Sequence, residues 1–191
     1  MKQIFSVVMF LVIFSSLSGQ DKFTDKRDGN VYRTVTISGK TWMIDNLKFK
    51  AASGSQLFDN DTNNIRIFGS LYEWNTAVNV CPDGWHLPSG QEFRNLSNNY
   101  DQKKSWKSGP SEPSSFQIQL GGMQNYEGIF TEMYESAYYW TSTEYGKNNA
   151  EYFSYLIIDE MPVIDISRED DIGDIQGTEK SNKYSVRCVK N

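Results

Sequence analysis

Two segments are the most informative about structure: VCPDGWHLPS, residues 80–89, and VRCV, residues 186–189, near the end of the chain. These segments contain the only two cysteines of the 191-residue chain, Cys81 and Cys188. With a single histidine and no Cys-x-x-Cys spacing, the cysteines do not suggest a metal site. In an exported chain, an even and minimal cysteine count favours a disulfide between them, and two separate buried thiols are the alternative.

The N-terminus predicts export. Lys2 gives a short positive start, residues 4–14 form an apolar run, and residues 15–19, SSLSG, suit a signal peptidase. The run is too short to span a bilayer, which takes about 20 apolar residues. We expect residues 1–19 to be a signal peptide and residues 20–191 to be a single domain. The mature protein is then secreted, extracellular or periplasmic, without membrane insertion.

The composition limits the classes of partner. The formal net charge is −5, with 19 basic and 24 acidic side chains, whereas nucleic acids and anionic membrane surfaces require clustered cationic side chains. We therefore expect neither as a partner. Aromatic residues make up 14% of the chain, and Tyr and Trp combine a large apolar surface with a polar group. This abundance fits either a compact β-rich core or a sugar-binding surface.

Turn signals and alternating residues predict mostly short strands. Residues 31–37 alternate and are rich in β-branched side chains, and a turn at residues 38–40 leads into residues 41–44, which predicts a β-hairpin. Residues 46–65 are polar and rich in Gly, Ser, Asn and Asp, which predicts a long surface loop. Residues 67–78 are expected to form a short helix.

A second helix is predicted from Ser89. Ser89 can cap the first turn while the Glu92 side chain returns to the Ser89 backbone N–H, which is the reciprocal capping box. Phe93, Leu96 and Tyr100 then form one apolar stripe. Further strands are predicted at residues 116–120, 128–130, 138–143, 152–158 and 184–189, and residues 101–115 are predicted to be a loop.

Seven short blocks occur in an order that points to a known family. They are DGNVY (28–32), TWM (41–43), NL (46–47), GSLYEW (69–74), CPDGWHLP (81–88), YWTSTE (139–144) and SVRCV (185–189). In this order they resemble the Fibrobacter succinogenes major paralogous domain (FISUMP), a family of secreted bacterial modules without an established activity. Lys183 stands where that family commonly has a glycine before the last strand, so a local difference in that turn is expected.

A more distant resemblance concerns the fold. Residues 84–89, followed by Glu92 and Phe93, are similar to a block of the formylglycine-generating enzyme superfamily, and residues 186–188 resemble its closing strand. This resemblance implies an α+β, C-type-lectin-like fold with short antiparallel strands, one or two helices and long loops. Those enzymes use a further pair of cysteines that this chain lacks, and fold alone does not give function. Their activity is therefore not expected here.

His86, the only histidine, is interpreted as a packing or hydrogen-bonding residue. It lies between Trp85 and Leu87 at the entry to the predicted helix, and no nucleophile motif accompanies it. The related enzyme superfamily has an arginine at this position. A catalytic role is therefore not expected.

The acidic run at residues 165–174 is the one candidate metal site. Its tentative ligands for calcium, the only cofactor considered, are Asp165, Asp170, Asp171 and Asp174. Clustered carboxylates are the oxygen ligands that this cation prefers, although the spacing matches no EF-hand loop. A solvated acidic loop without metal is the alternative.

The aromatic residues give the best hypothesis for ligand binding. Trp106, Tyr138 and Tyr139 are the tentative binding residues, and Tyr126, Tyr134 and Tyr145 could line the same groove. Only alternate members of a strand face one way, so part of this cluster must be core. The tryptophans expected in the core are Trp42, Trp74, Trp85 and Trp140.

The sequence therefore predicts a secreted, non-catalytic module that binds a glycan or a surface protein. Loops on a rigid scaffold usually carry recognition, so residues 46–65 and 101–115 are the expected sites of specificity. A polysaccharide-acting enzyme with an unrecognised carboxylate pair is one alternative, because 24 acidic residues do not single out a pair. A purely structural or adhesive protein is the other.

Overall fold

A computed structural model describes residues 21–99, 116–158, 161–166 and 177–191. The predicted signal peptide and the predicted 101–115 loop lie outside the described residues. The strands are, in chain order, β1 (Asp21–Thr24), β2 (Val31–Ile37), β3 (Lys40–Met43), β4 (Ser55–Gln56), β5 (Leu71–Glu73), β6 (Trp85–His86), β7 (Gly121–Gln124), β8 (Phe130–Met133), β9 (Ser136–Tyr145), β10 (Asn149–Ile158), β11 (Met161–Ile166), β12 (Thr178–Glu179), β13 (Lys183–Ser185) and β14 (Val189–Lys190). The helices are α1 (Ile65–Phe68), α2 (Trp74–Val80) and α3 (Gly90–Asn99), and a 3₁₀ turn covers Phe58–Asn60.

The strands form two sheets within the described ranges. The smaller sheet has the order β1-β2-β3-β14-β6, and its strands pair antiparallel. The larger has the order β11-β10-β9-β7-β13-β5-β4, with β8 beside β7 and β12 beside β10. Parallel pairing is found where β9 meets β7 and β13. The fold is therefore α+β, with mostly short antiparallel strands and few helices, as the sequence predicts.

Two local predictions are confirmed. The β2–β3 hairpin turns at Ser38 and Gly39, which both have positive φ, 50° and 81°. α3 begins after Ser89, whose backbone N–H donates to Glu92 Oε2 (2.8 Å) while the Glu92 backbone N–H donates to Ser89 Oγ (3.2 Å). This is the capping box, and it starts the helix so that Phe93 enters the core.

The prediction of one helix over residues 67–78 is wrong. α1 ends at Phe68, β5 follows, and α2 begins only at Trp74. The break lies at Gly69, which has φ +72° and packs so closely that a Cβ would lie 2.6 Å from the Leu47 carbonyl oxygen. A helix cannot continue through this conformation, which favours glycine.

The prediction of a half-buried strand at residues 116–120 is also wrong. These residues belong to no strand of the two sheets, and residues 116–118 are buried in succession. Gln117 turns inward because its side-chain oxygen accepts a hydrogen bond from Arg33 Nη1 (2.9 Å) and its carbonyl accepts one from Arg187. The alternation in the sequence therefore does not correspond to alternating exposure.

The predicted last strand, residues 184–189, is two strands in different sheets. β13 belongs to the larger sheet and β14 to the smaller, and residues 186–188 cross between them fully buried. Lys183 begins β13 and forms an ion pair with Glu73 on β5 (3.3 Å). The C-terminal segment is thus shared by both sheets.

The core tryptophans are those that the sequence predicts. All four, Trp42, Trp74, Trp85 and Trp140, are buried. Trp74 Nε1 donates to the Thr141 carbonyl (2.8 Å), and Trp140 Nε1 donates to the Tyr72 carbonyl (2.6 Å). The indole rings therefore fill the interior without leaving these two N–H groups unpaired.

The predicted disulfide is confirmed. Cys81 directly follows α2 and Cys188 directly precedes β14, and the two are bonded with their Cα atoms 5.9 Å apart. The described residues contain no free cysteine. Because the partners are 107 residues apart in sequence, the bond closes a long loop. It ties the end of α2 to the segment that both sheets share.

Removing this bond should lower the free energy of unfolding substantially. In the chain-entropy model, a loop of this length is worth about 4–5 kcal/mol, so we expect that loss in the double variant Cys81→Ala/Cys188→Ala, measured by urea unfolding. A reducing agent should lower the unfolding midpoint of the native chain and leave that of the variant unchanged. Equal midpoints for the native chain with and without reductant would contradict the expectation.

Candidate functional site

Residues 46–70 form a long connection that contains β4, the 3₁₀ turn and α1, and we call it the 46–70 loop. Hydrogen bonds close this loop at its base. Asn46 Nδ2 donates to the Phe68 carbonyl (2.8 Å), and the Ser70 N–H donates to the Leu47 carbonyl (2.9 Å). Tyr72 OH donates to the carbonyl of Phe49 (2.6 Å), which lies two residues after Leu47. These bonds fix where the loop leaves and rejoins the core, so the residues between these two points are supported by a rigid base.

Arg187 holds Asn46 in place from within the core. Its Nε donates to Asn46 Oδ1 (2.9 Å), its Nη2 donates to the Gln117 carbonyl, and the guanidinium lies 4.4 Å from the ring centroid of Phe116 and 5.0 Å from that of Tyr139. The side chain has no exposed surface. Burial lowers the pKa of Arg187, although the hydrogen-bonded Tyr139 opposes this effect.

The 46–70 loop forms an open cleft of about 280 Å³. The residues that line this cleft are Lys50, Ser55, Gln56, Leu57, Asn60, Ile65 and Ser70. All of them come from the 46–70 loop, which contains the predicted 46–65 specificity loop. These residues offer a cation, hydroxyls and amides together with two aliphatic side chains, and no carboxylate is among the described residues that line the cleft.

Four exposed apolar side chains lie on the loop and on the segment from residue 126 to residue 134, and we call them together the Tyr134 face. Its exposed side chains are Ile67, Tyr126, Ile129 and Tyr134. The β7–β8 hairpin and the residue after it carry most of this face, and ring contacts join the hairpin to the loop. Phe58 and Phe130 have centroids 5.0 Å apart, and Phe68 and Tyr134 have centroids 5.3 Å apart.

The backbone is strained where the cleft and the Tyr134 face meet. Five non-glycine residues of the described chain have positive φ. Asp59 and Asn60 lie on the loop, Glu132 and Tyr134 lie on or just after β8, and the fifth, Ser38, lies in a hairpin turn. Such conformations cost about 1–3 kcal/mol each and cluster at binding sites. Together with the exposed aromatic side chains, they make this region the candidate functional site.

The strain at Glu132 has a structural cause in the facing strand. Gly122 on β7 has φ +60°, and a Cβ there would overlap the Thr131 carbonyl oxygen. The close approach of the strands turns the Glu132 side chain toward Tyr138, whose OH donates to Glu132 Oε2 (2.5 Å). Burial, and then this carboxylate, raise the pKa of Tyr138.

The structure separates the tyrosines that the sequence grouped. Tyr139 is wrong as a ligand-binding residue, because its ring has no exposed surface and packs against Phe93, Phe153 and Arg187. Tyr138 is half-buried, and its hydroxyl is bonded to Glu132. On β9 the two side chains necessarily point to opposite faces.

Among the described tyrosines, Tyr126 and Tyr134 are exposed, and the sequence predicts only that they could line the groove. Trp106 lies outside the described residues, as do Asp170, Asp171 and Asp174. Asp165 lies in β11, where its backbone pairs with Ser154. No group of three or more His, Cys, Asp or Glu side chains that could hold a metal ion is found among the described residues.

His86 is a hydrogen-bonding residue, as expected. Its Nε2 lies 3.1 and 3.2 Å from the two carboxylate oxygens of Glu92, and its Nδ1 lies 2.5 Å from Asn191 Oδ1. Ser89 Oγ donates to the same carboxylate (3.0 Å) and not to the imidazole. Both ring nitrogens are occupied, so this arrangement is not that of a base activating a serine.

The fold and the site define the class of the protein, which is a disulfide-bonded α+β module whose loops carry an open cleft and an apolar face. The family profile of the Fibrobacter succinogenes major domain matches residues 35–190, and the chain belongs to this family, whose function is unknown. Comparisons with curated proteins and with solved structures find no significant match. No helix within the described ranges is long and apolar enough to cross a membrane.

Replacing Arg187 should loosen the base of the loop. Arg187→Met leaves Asn46 Oδ1 and the Gln117 carbonyl without their donor, and each buried acceptor left unpaired costs about 1–3 kcal/mol. Because the buried charge is also removed, we expect a net loss of roughly 2–4 kcal/mol in urea unfolding. Hydrogen exchange of the Ser70 amide should accelerate. Arg66→Met, at an exposed position, is the control, and an equal effect of both variants would count against this role.

Glu92 should contribute stability that disappears in acid. Burial opposes its ionisation, but hydrogen bonds from Lys40, Ser89 and His86 hold the pKa of Glu92 at about 2, below its ordinary value of 4.5. The stabilisation is therefore complete above about pH 4.5 and is lost as the pH falls toward 2.

The test compares the pH dependence of unfolding in the native chain and in Glu92→Gln. After allowance for solvent screening, we expect the native chain to lose about 1–2 kcal/mol more than the variant between pH 4.5 and pH 2. Glu135→Gln, at an exposed position, should behave like the native chain. Parallel curves for the native chain and Glu92→Gln would show that the carboxylate contributes nothing.

Proposed function

We propose that this chain is an exported, non-catalytic module that binds a glycan through the 46–70 cleft and the Tyr134 face. The observation that carries the proposal is the coincidence of an open cleft, exposed tyrosine and isoleucine side chains, and strained backbone on adjoining segments. Sugars present C–H faces that pack on aromatic rings and hydroxyls that need hydrogen-bond partners, so a mixed surface of this kind suits them.

Binding at this site should cost little conformational entropy, because the surface is already ordered. The loop base is fixed by the bonds of Asn46 and Ser70, and the hairpin is fixed against the loop by the Phe58–Phe130 contact. A surface that is already ordered loses less entropy when it binds. The rigid base therefore favours recognition by this surface over a role as a passive connection.

We infer further that the architecture is C-type-lectin-like. Short antiparallel strands, long loops and few helices support this inference, as does the pairing that places β1 and β14 in one sheet. The similarity of residues 84–89 to the formylglycine-generating enzyme superfamily supports it as well. Binding through long loops is the use that such a scaffold would serve.

Export is part of the same proposal. The apolar run at residues 4–14 is the main support, and the disulfide between Cys81 and Cys188 agrees with it, because such bonds persist in oxidising compartments. We propose that the mature protein acts outside the cytoplasm, in the periplasm or at the cell surface. Detection of a mature N-terminus near residue 20 would test this directly.

Binding to a glycan array, followed by calorimetry on the best ligand, tests the proposed function. Tyr134→Ala should weaken binding roughly tenfold, which corresponds to the loss of one important aromatic contact. Val31→Ala is the matched control, because Val31 is also exposed and apolar but lies in the other sheet. Equal affinities of the two variants would contradict the assignment of the site.

The same array separates the alternatives. Release of shorter products would identify a polysaccharide-acting enzyme, and binding to surface proteins without any glycan would favour an adhesive role. A chelator arm tests calcium, for which Asp165, Asp170, Asp171 and Asp174 are the proposed ligands. Binding that is abolished by the chelator and restored by calcium would support that site, and unchanged binding would remove calcium from the proposal.

A further inference from the structure

We propose that the cleft selects acidic sugars, and that the ammonium group of Lys50 pairs with the carboxylate of a uronic acid residue. This inference rests on the proposed glycan-binding function and names the class of ligand. It makes Lys50 the residue that determines specificity, while the Tyr134 face supplies contacts that do not depend on ligand charge.

The charge of the cleft is the first argument. Among the described residues that line it, Lys50 is the only charged one. The chain as a whole has 24 acidic and 19 basic side chains, so a cleft with a cation and no carboxylate departs from the general composition. Within the described residues, the Lys50 ammonium has no acidic side chain within salt-bridge distance. Its charge is therefore available to an anionic ligand.

The position of Lys50 is the second argument. The preceding residue, Phe49, is fixed by the hydrogen bond from Tyr72 OH to its carbonyl and by the Arg27 guanidinium 3.9 Å above its ring. On the other side, the Ala51 N–H donates to Ser55 Oγ (3.1 Å). The backbone at Lys50 is thus held from both sides, while the side chain is exposed and extends into the cleft.

The other lining residues suit the rest of a sugar ring. Leu57 and Ile65 offer aliphatic surface to its C–H face. Gln56 Nε2 donates to Asn60 Oδ1, which orients the Asn60 amide so that its Nδ2 can donate outward. A hydroxyl or carboxylate oxygen beside Lys50 would accept such a bond, and hydrogen bonds to charged groups are the stronger ones.

Two carboxylates near the cleft do not reverse its charge. Asp59 and Asp61 are exposed, and neither lines the cleft. Asp61 Oδ1 accepts hydrogen bonds from the backbone N–H (2.9 Å) and the Nδ2 (2.8 Å) of Asn63, so this oxygen is turned toward its own loop. Salt screens exposed charges, and of Lys50, Asp59 and Asp61 only Lys50 lines the cleft.

The test uses pairs of polymers that differ only in charge. Oligogalacturonate and oligomannuronate are compared by calorimetry with their methyl esters, which keep the sugar rings and lose the carboxylates. We expect at least one acid form to bind at least tenfold more tightly than its ester, and this preference to shrink as salt is raised from 50 to 500 mM. Lys50→Gln should abolish the preference by weakening the binding of the acid form. Lys50→Arg should retain the preference.

Lys22→Gln is the control, because it removes the same charge from an exposed position on β1. If acid and ester forms bind equally in a Tyr134-dependent manner, or if Lys50→Gln and Lys22→Gln have the same effect, the selectivity for acidic sugars is overturned and glycan binding stands. If neither these polymers nor any glycan of the array binds, the proposed function itself fails.

Discussion

A guanidinium without exposed surface is the constraint on which the candidate site depends. Taking the charge of Arg187 out of water is costly, and no carboxylate pairs with it directly within the described residues. Asn46 Oδ1 accepts a hydrogen bond from its Nε and the Gln117 carbonyl accepts one from its Nη2, while two aromatic rings lie against the guanidinium. Asn46 in turn holds the Phe68 carbonyl. The charge is thus tolerable only while the loop base is closed, which makes the closed loop a condition of folding.

The disulfide acts on the adjacent residue. Cys188 follows Arg187 directly, so the segment that crosses between the sheets is anchored covalently on one side and by polar contacts on the other. The crossing residues are buried, which leaves little freedom for β13 or β14 to shift register. This explains why the block at residues 185–189 identifies the family while saying little about its ligand: its residues are committed to the core.

Local patterns in the sequence correctly predicted the structural elements that depend only on contacts between neighbouring residues. The capping box at Ser89 and the β2–β3 hairpin are set by contacts within a few residues, and they form as expected. Residues 116–120 were mispredicted because the partners that hold Gln117 inward, Arg33 and Arg187, lie 84 and 70 residues away in the sequence. Tyr139 fails for a related reason, since alternation along a strand predicts that one of two neighbours is buried but not which one. Residues 46–65 were predicted to be a long surface loop that carries specificity, but neither the cleft nor the place of Lys50 in it was predicted.

The candidate site combines two features that each lower the stability of the fold. Positive φ at Asp59, Asn60, Glu132 and Tyr134 costs free energy, and exposed apolar side chains gain nothing from remaining in water. A fold without a use for this region could remove both costs with a few substitutions, for example by glycine at the strained positions or a polar residue at position 134. The region instead rests on the most constrained part of the core, through Asn46 and the Phe58–Phe130 and Phe68–Tyr134 contacts. Strained backbone and exposed apolar side chains on one constrained base are the physical support for the proposed binding role.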